Sequence, residues 1–218
     1  MSYYTLIASL PHLPTHFDVE RPPISRPRLN QRLKDLDEPD AEVVQHRATV
    51  LAWDRQTLDR SEQNVIDDYE RLRQEIHHPI VLEIVDNRIN IRTIVSALRR
   101  RRNGQDPPRG VGQLVQPIRD RWKEPQFGLQ KRYPWIEPFE QCMLNGEAVA
   151  AERHLYEFTW RLYSRMADQF QFSFEAVLLY LARWSIVDRW TSRDREAGLA
   201  RFDQLLEETL GEFARLDI

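Results

Sequence analysis

The sequence predicts an all-α fold, a multi-helix bundle of antiparallel amphipathic helices with room for one short N-terminal strand. Apolar residues recur at helical spacing over Ile80 to Gly104, Gly146 to Phe170 and Phe174 to Trp190. Glycine, which weakens helix interiors, occurs only 7 times in 218 residues. The connections between the last helical stretches are short, which makes those helices antiparallel neighbours. A chain of this length buries a real core, and we read it as one helical domain. Residues 1–40 form its N-terminal segment, 41–104 its central helices, 105–145 a proline- and aromatic-rich region and 146–218 a three-helix region.

Tyr3 to Leu10 is short and apolar and stops at Pro11, which fits a strand or a first helical turn packed on the core. Pro11, Pro14, Pro22, Pro23 and Pro27 then exclude a continuous helix. Arg21 to Pro27 reads as an extended connector, a plainer account than a PxxP-type ligand. Asn30 to Leu36 is a short amphipathic helix closed by Asp37-Glu38-Pro39-Asp40. From Ala41 to His77 two helices are expected, with a break near Asp59 to Ser61 and with Ser61 or Asn64 as cap.

The longest stretch starts after Pro79, with Ile84, Ile91, Ile94, Val95 and Leu98 on its apolar positions. Asn103-Gly104 is a helix stop signal, and Arg99, Arg100, Arg101 and Arg102 fill the last turn, where cations suit the negative end of the dipole. A polar loop follows over Gln105 to Gly112, then a short helix over Val115 to Trp122. Pro125, Gly128, Pro134 and Pro138 break up the next stretch, whose Phe127, Tyr133, Trp135 and Phe139 suit packing on the helical body better than a platform for bases. In the final region Ala176 to Ala182 is nearly apolar and belongs at the centre of its bundle. Ser192 is placed to cap a last helix running to about Leu216.

A net charge of −3 argues against a general nucleic-acid binder. The single cysteine, Cys142, forms no internal disulfide and heads no cysteine-based zinc site. No run approaches the roughly 20 apolar residues of a membrane span, and the N-terminus lacks a basic n-region, so a soluble protein is expected. Gly110-Val111-Gly112 lacks the rest of a phosphate loop, and His-Glu-x-x-His is absent. His77-His78 do not share a helical face, so a polar helix end outweighs a metal site. Glu83 and Asp86 stand three residues apart, yet capping or pairing with Arg88 or the arginine run outweighs catalysis, which would need burial and split pKa values. His154 has no recognisable nucleophile to activate. The arginine run admits phosphate contact, docking on an acidic protein surface, or a solvated helix end.

One further feature bears on function. The run Glu83-Ile84-Val85-Asp86-Asn87-Arg88-Ile89-Asn90-Ile91-Arg92, followed by Ile94, Leu98, Arg99 and Gly104, resembles a motif of the C/d subunits of V-type ATPases. The opening Tyr3-Tyr4-x-Leu6-Ile7-Ala8-Ser9-Leu10-Pro11 is similar to the start of a bacterial family of formally unknown function, associated with V-type ATPase operons and thought to supply that subunit. The resemblance implies an all-helical, funnel-shaped, non-catalytic subunit without cofactor or metal. Its partners would be the central shaft and the membrane rotor ring, on the cytoplasmic face, with no membrane span of its own and no nucleic acid. Asp86, Asn90 and Ile91 would then be structural, the polar pair fixing the start of the central helix, and Arg99 to Arg102 would contact shaft or ring. C/d subunits are considerably longer, and the segment before Arg28 and the loop after Arg121 have no counterpart in them.

Overall fold

A computed structural model describes residues 3–51, 62–75 and 77–192 of the chain. Among them there are helices and loops and no strand. Tyr3–Ser9 is helix α1. Alternation alone would also give a strand an apolar face, Tyr4, Leu6, Ala8 and Leu10; what the core receives instead is the helical face of Leu6 and Leu10 with Tyr3 and Ile7 packed beside them. The Ser9 hydroxyl and the Leu10 N–H close the turn onto the Leu6 and Ile7 carbonyls.

The proline segment after α1 makes no helix, and its carbonyls are taken by aromatic donors instead. Trp160 Nε1 reaches Thr15 O at 3.1 Å, Tyr180 Oη reaches Pro11 O at 2.9 Å, and Trp184 Nε1 reaches Ile24 O at 2.9 Å. Buried indole and phenol groups need such partners, and the segment supplies them. Phe17 packs edge-on against Trp190. The segment is thus a strap laid over the last two described helices, with the Arg21–Pro27 stretch held at Ile24 O.

Helix α2 spans Arg26–Arg32 and runs on into a 3-10 turn at Leu33–Asp35. It starts four residues before the expected Asn30 because Pro27 sits in its first turn, where the missing N–H costs nothing. For the same reason the Asp37-to-Asp40 acidic-proline stretch opens α3 (Glu38–Leu51) rather than only closing the previous helix. Helix α4 spans Glu62–Glu75, so Asn64 lies within it and is no cap. Ser61 and the expected break near Asp59 lie outside the described residues.

Helix α5, Pro79–Arg102, is 24 residues long, a span of about 36 Å. Proline occupies its first turn, and it ends as expected at Asn103-Gly104. Gly104 takes φ +66°, its N–H bonds Arg101 O, and Gln105 N–H bonds Arg100 O at 2.9 Å, the paired closure of a Schellman motif. Helix α6 covers Val115–Asp120 and α7 covers Ile136–Asn145. The prolines around α7 suggest a broken stretch, but Pro138 falls in its first turn, where proline is tolerated. Gly146, in the left-handed region, turns the chain into α8, Ala148–Ala167. The next helix, α9, is described over 174–192. Ser192, the last described residue, is helical and its hydroxyl donates to Asp188 O. The expected helix to Leu216 lies outside the described residues.

Two hydrophobic clusters meet along α5. Ile80, Val81, Ile84, Val85 and Ile89 pack with Leu6, Leu10, Phe17 and Leu29 and with the α8 and α9 interior. Ile94, Ala97 and Leu98 pack with Leu114, Ile118, Phe127 and the aromatics of the 133–139 stretch. Val177, Leu178 and Leu179 are fully buried, which puts the Ala176–Ala182 part of α9 at the centre, as its composition implies.

Candidate functional site

The residues singled out in the sequence lie at three levels of α5. Asp86, eight residues into the helix, does not fix its start. It instead holds α4 and the 105–114 loop against the helix. Tyr69 Oη donates to its Oδ1 at 2.7 Å, Arg73 Nη1 reaches both oxygens at 3.0 and 3.1 Å, and Gln113 Nε2 reaches Oδ2 at 3.3 Å. Arg73 also donates to the Tyr69 hydroxyl at 2.9 Å. Burial, then the hydrogen bond to Asp86, pushes the Tyr69 phenol up, while the Arg73 guanidinium opposes that shift. Sequence reasoning missed Tyr69, Arg73 and Gln113. The one signal available was the i, i+4 spacing of Tyr69 and Arg73, which puts both on the face of α4 turned to α5.

Asn90 is 5% exposed and hydrogen-bonds the Tyr133 hydroxyl, so it too joins α5 to a distant segment and does not set the helix start. Burial is the main cause that raises the Tyr133 phenol. Ile91 is half-buried against the second cluster. Glu83 is exposed and so lacks the burial that an acid–base pair with Asp86 would need.

The arginine run divides. Arg101 turns inward: Nη2 pairs with Glu140 Oε1 at 2.8 Å, Nη1 donates to Glu124 O at 3.0 Å, and its guanidinium lies 4.4 Å from the Phe127 ring centroid. Phe127 also stacks on Trp122, with ring centroids 5.4 Å apart. These contacts hold Phe127 fully buried at φ +55°, a left-handed conformation that packing must offset. Arg100 reaches Asp106 O and Arg102 reaches Met143 O. Arg99 and Arg102 are exposed. Only part of the run is therefore available to a partner.

Phe127, Tyr133, Trp135 and Phe139 are all buried, so they form core and not a stacking platform. His78 faces Glu175 at 3.6 Å with its ring edge-on to Phe174, and it ties the start of α5 to α9. Among the described residues no three His, Cys, Asp or Glu side chains come together in a way that could hold a metal ion. Cys142 is buried, and burial raises its thiol pKa, the opposite of an activated nucleophile. No described helix is long and apolar enough to cross a membrane. The chemistry of the α5 surroundings is that of clamps between helices.

Comparison with known proteins gives one match. A family model described as a protein of unknown function (DUF2764) covers residues 61–212, from the start of α4 to beyond α9. No curated protein matches the chain, and no solved structure matches it either. Since the match spans more than half of its length, the chain belongs to the DUF2764 family.

Proposed function

We propose that the protein is a non-catalytic, C/d-like subunit of a bacterial V-type ATPase rotor. In this role it links the central shaft to the membrane ring on the cytoplasmic face and passes torque between ATP hydrolysis and ion transport. One observation carries the reading. The two stretches that bear the resemblance, Tyr3 to Pro11 and Glu83 to Arg92, are over 70 residues apart in sequence. Leu6 and Leu10 of the first nevertheless pack in the same core as Ile84, Val85 and Ile89 of the second. Two motifs that share one core support a single family signature better than two separate coincidences would.

The all-helical body suits the task, since torque requires stiff elements with broad surfaces. Asp86 and Arg101 add cross-links at both halves of α5. Arg99 and Arg102 remain candidates for contact with shaft or ring, and burial of the four aromatics weighs against RNA binding. Affinity purification of the tagged protein from its native membranes in mild detergent, followed by mass spectrometry, tests the proposal. Recovery of ATPase catalytic, shaft and ring subunits in fixed proportion is expected. Recovery of the protein alone, or with unrelated helical partners, would replace the rotor by a general adaptor.

A further inference from the structure

A groove of about 1140 Å³ opens between the proline strap and α2. Arg21 stands on the strap side, Arg28 and Arg32 stand one helical turn apart on α2, and Lys34 follows in the 3-10 turn. Asp35 is the one carboxylate lining it. All four cations are exposed, and none forms an ion pair among the described residues. Neighbouring Arg26 behaves differently: it is bound to Asp188 and lies over the Trp184 ring. Like charges one turn apart cost helix stability, and this chain carries −3 overall. Four exposed cations and a single carboxylate around one groove of an acidic protein make a locally positive surface that suits an acidic occupant.

The walls are fixed before anything binds. Trp184 Nε1 holds Ile24 O, and Leu29 is buried beneath α2 in the main core. Pro11, Pro22, Pro23 and Ile24 supply apolar lining between the charges. The two adjacent prolines offer no N–H, so a guest strand could not extend a backbone ladder along them. Recognition must come from side chains. No aromatic residue lines the groove, which removes the stacking that single-stranded nucleic acid uses. A bound phosphate needs donors converging on one point, whereas these cations come from the strap, α2 and the 3-10 turn that follows it. We propose that this groove docks an extended acidic segment of a partner protein, its carboxylates meeting Arg21, Arg28, Arg32 and Lys34 and its apolar side chains resting on the proline wall.

This inference stands on the groove alone and does not need the rotor assignment. Fluorescence anisotropy with a fluorescein-labelled, glutamate-rich peptide containing two leucines tests it on the full chain. Arg28→Glu with Arg32→Glu should weaken binding on the order of tenfold or more. Lys34→Glu, in an exposed turn, should weaken it independently, while Arg161→Glu, an exposed α8 cation outside the groove, should not. Circular dichroism of each variant confirms that it remains folded. Binding should also fall as salt rises and shortens the screening length. Equal loss in the Arg161 variant, or no loss in the groove variants, overturns the proposal. Displacement of the peptide by inorganic phosphate alone would make it a small-anion site, and tighter, groove-dependent binding of a polyuridine oligomer would make it a nucleic-acid site; either result overturns the peptide assignment. Repeating the membrane purification with the groove variants separates the two ideas. Peptide binding lost with ATPase subunits still recovered leaves the rotor reading intact, and intact peptide binding without ATPase recovery removes the rotor reading alone.

Discussion

Arg101 shows how one residue in a run of four can differ from its neighbours. Its contacts with Glu140, Glu124 O and the Phe127 ring are charge-assisted, and both carboxylate and guanidinium are largely shielded. Arg101→Ala should destabilise the protein by about 1–3 kcal/mol in urea denaturation. Arg99→Ala, on the exposed side, should stay within about 0.5 kcal/mol of the parent. Equal effects would mean that the inward geometry contributes nothing. Tyr180 gives a second test at this scale. Burial pushes its phenol up to about 12 from an ordinary 10.0. A raised pKa means the stabilisation is complete below pH 10 and lost as pH climbs towards 12, because the unfolded phenol ionises first. Denaturation midpoints measured across that interval should fall less steeply for Tyr180→Phe, although this variant also gives up the bond to Pro11 O.

At the scale of elements, the loop between α5 and α6 returns against the helix it has just left. Gly112, at φ +113°, comes so near that an added Cβ would lie 2.5 Å from Ile89 Cγ2. Gly104 also has a left-handed φ, +66°, but open space around it. Gly104→Ala should therefore cost only the backbone strain, about 1 kcal/mol. Gly112→Ala should cost about 1–3 kcal/mol more through forced repacking at Ile89. Thermal melts of the two variants decide this, and a Gly112 variant no worse than the Gly104 variant would show that the loop lifts away freely. The Asp86 clamp draws on the same loop through Gln113, so loop and α4 are held by one carboxylate.

For the whole molecule, the family match begins at residue 61, yet the core does not. Leu6, Leu10, Phe17 and Leu29 are buried in the main cluster, and the aromatic donors of α8 and α9 satisfy carbonyls at Pro11, Thr15 and Ile24. A fragment of residues 61–218 would expose that apolar surface and leave the Trp160 and Trp184 indoles without their partners. It should lose cooperative unfolding and bind a hydrophobic dye such as ANS, as loosely packed compact states do. A fragment that melts as sharply as the full chain would show that residues 3–51 are an accessory layer.

Periodicity and punctuation in the sequence determined the helical class, the long central helix with its Asn103-Gly104 end, the buried centre of α9 and the packed fate of the 127–139 aromatics. These are local or compositional facts: a helix stop needs only its own residues, and a nearly apolar stretch must be buried somewhere. Proline position misled at Asp37 to Asp40 and at Pro138, because the same residue breaks a helix interior and suits a first turn, and only coordinates tell which. Helicity of Tyr3–Ser9 was likewise decided by the core it packs on. The partners of Asp86, the inward turn of Arg101 and the cationic groove of Arg21, Arg28, Arg32 and Lys34 belong wholly to the tertiary structure. Each depends on side chains brought together from separate segments, and no spacing along the chain encodes which charges will meet and which will be left facing solvent.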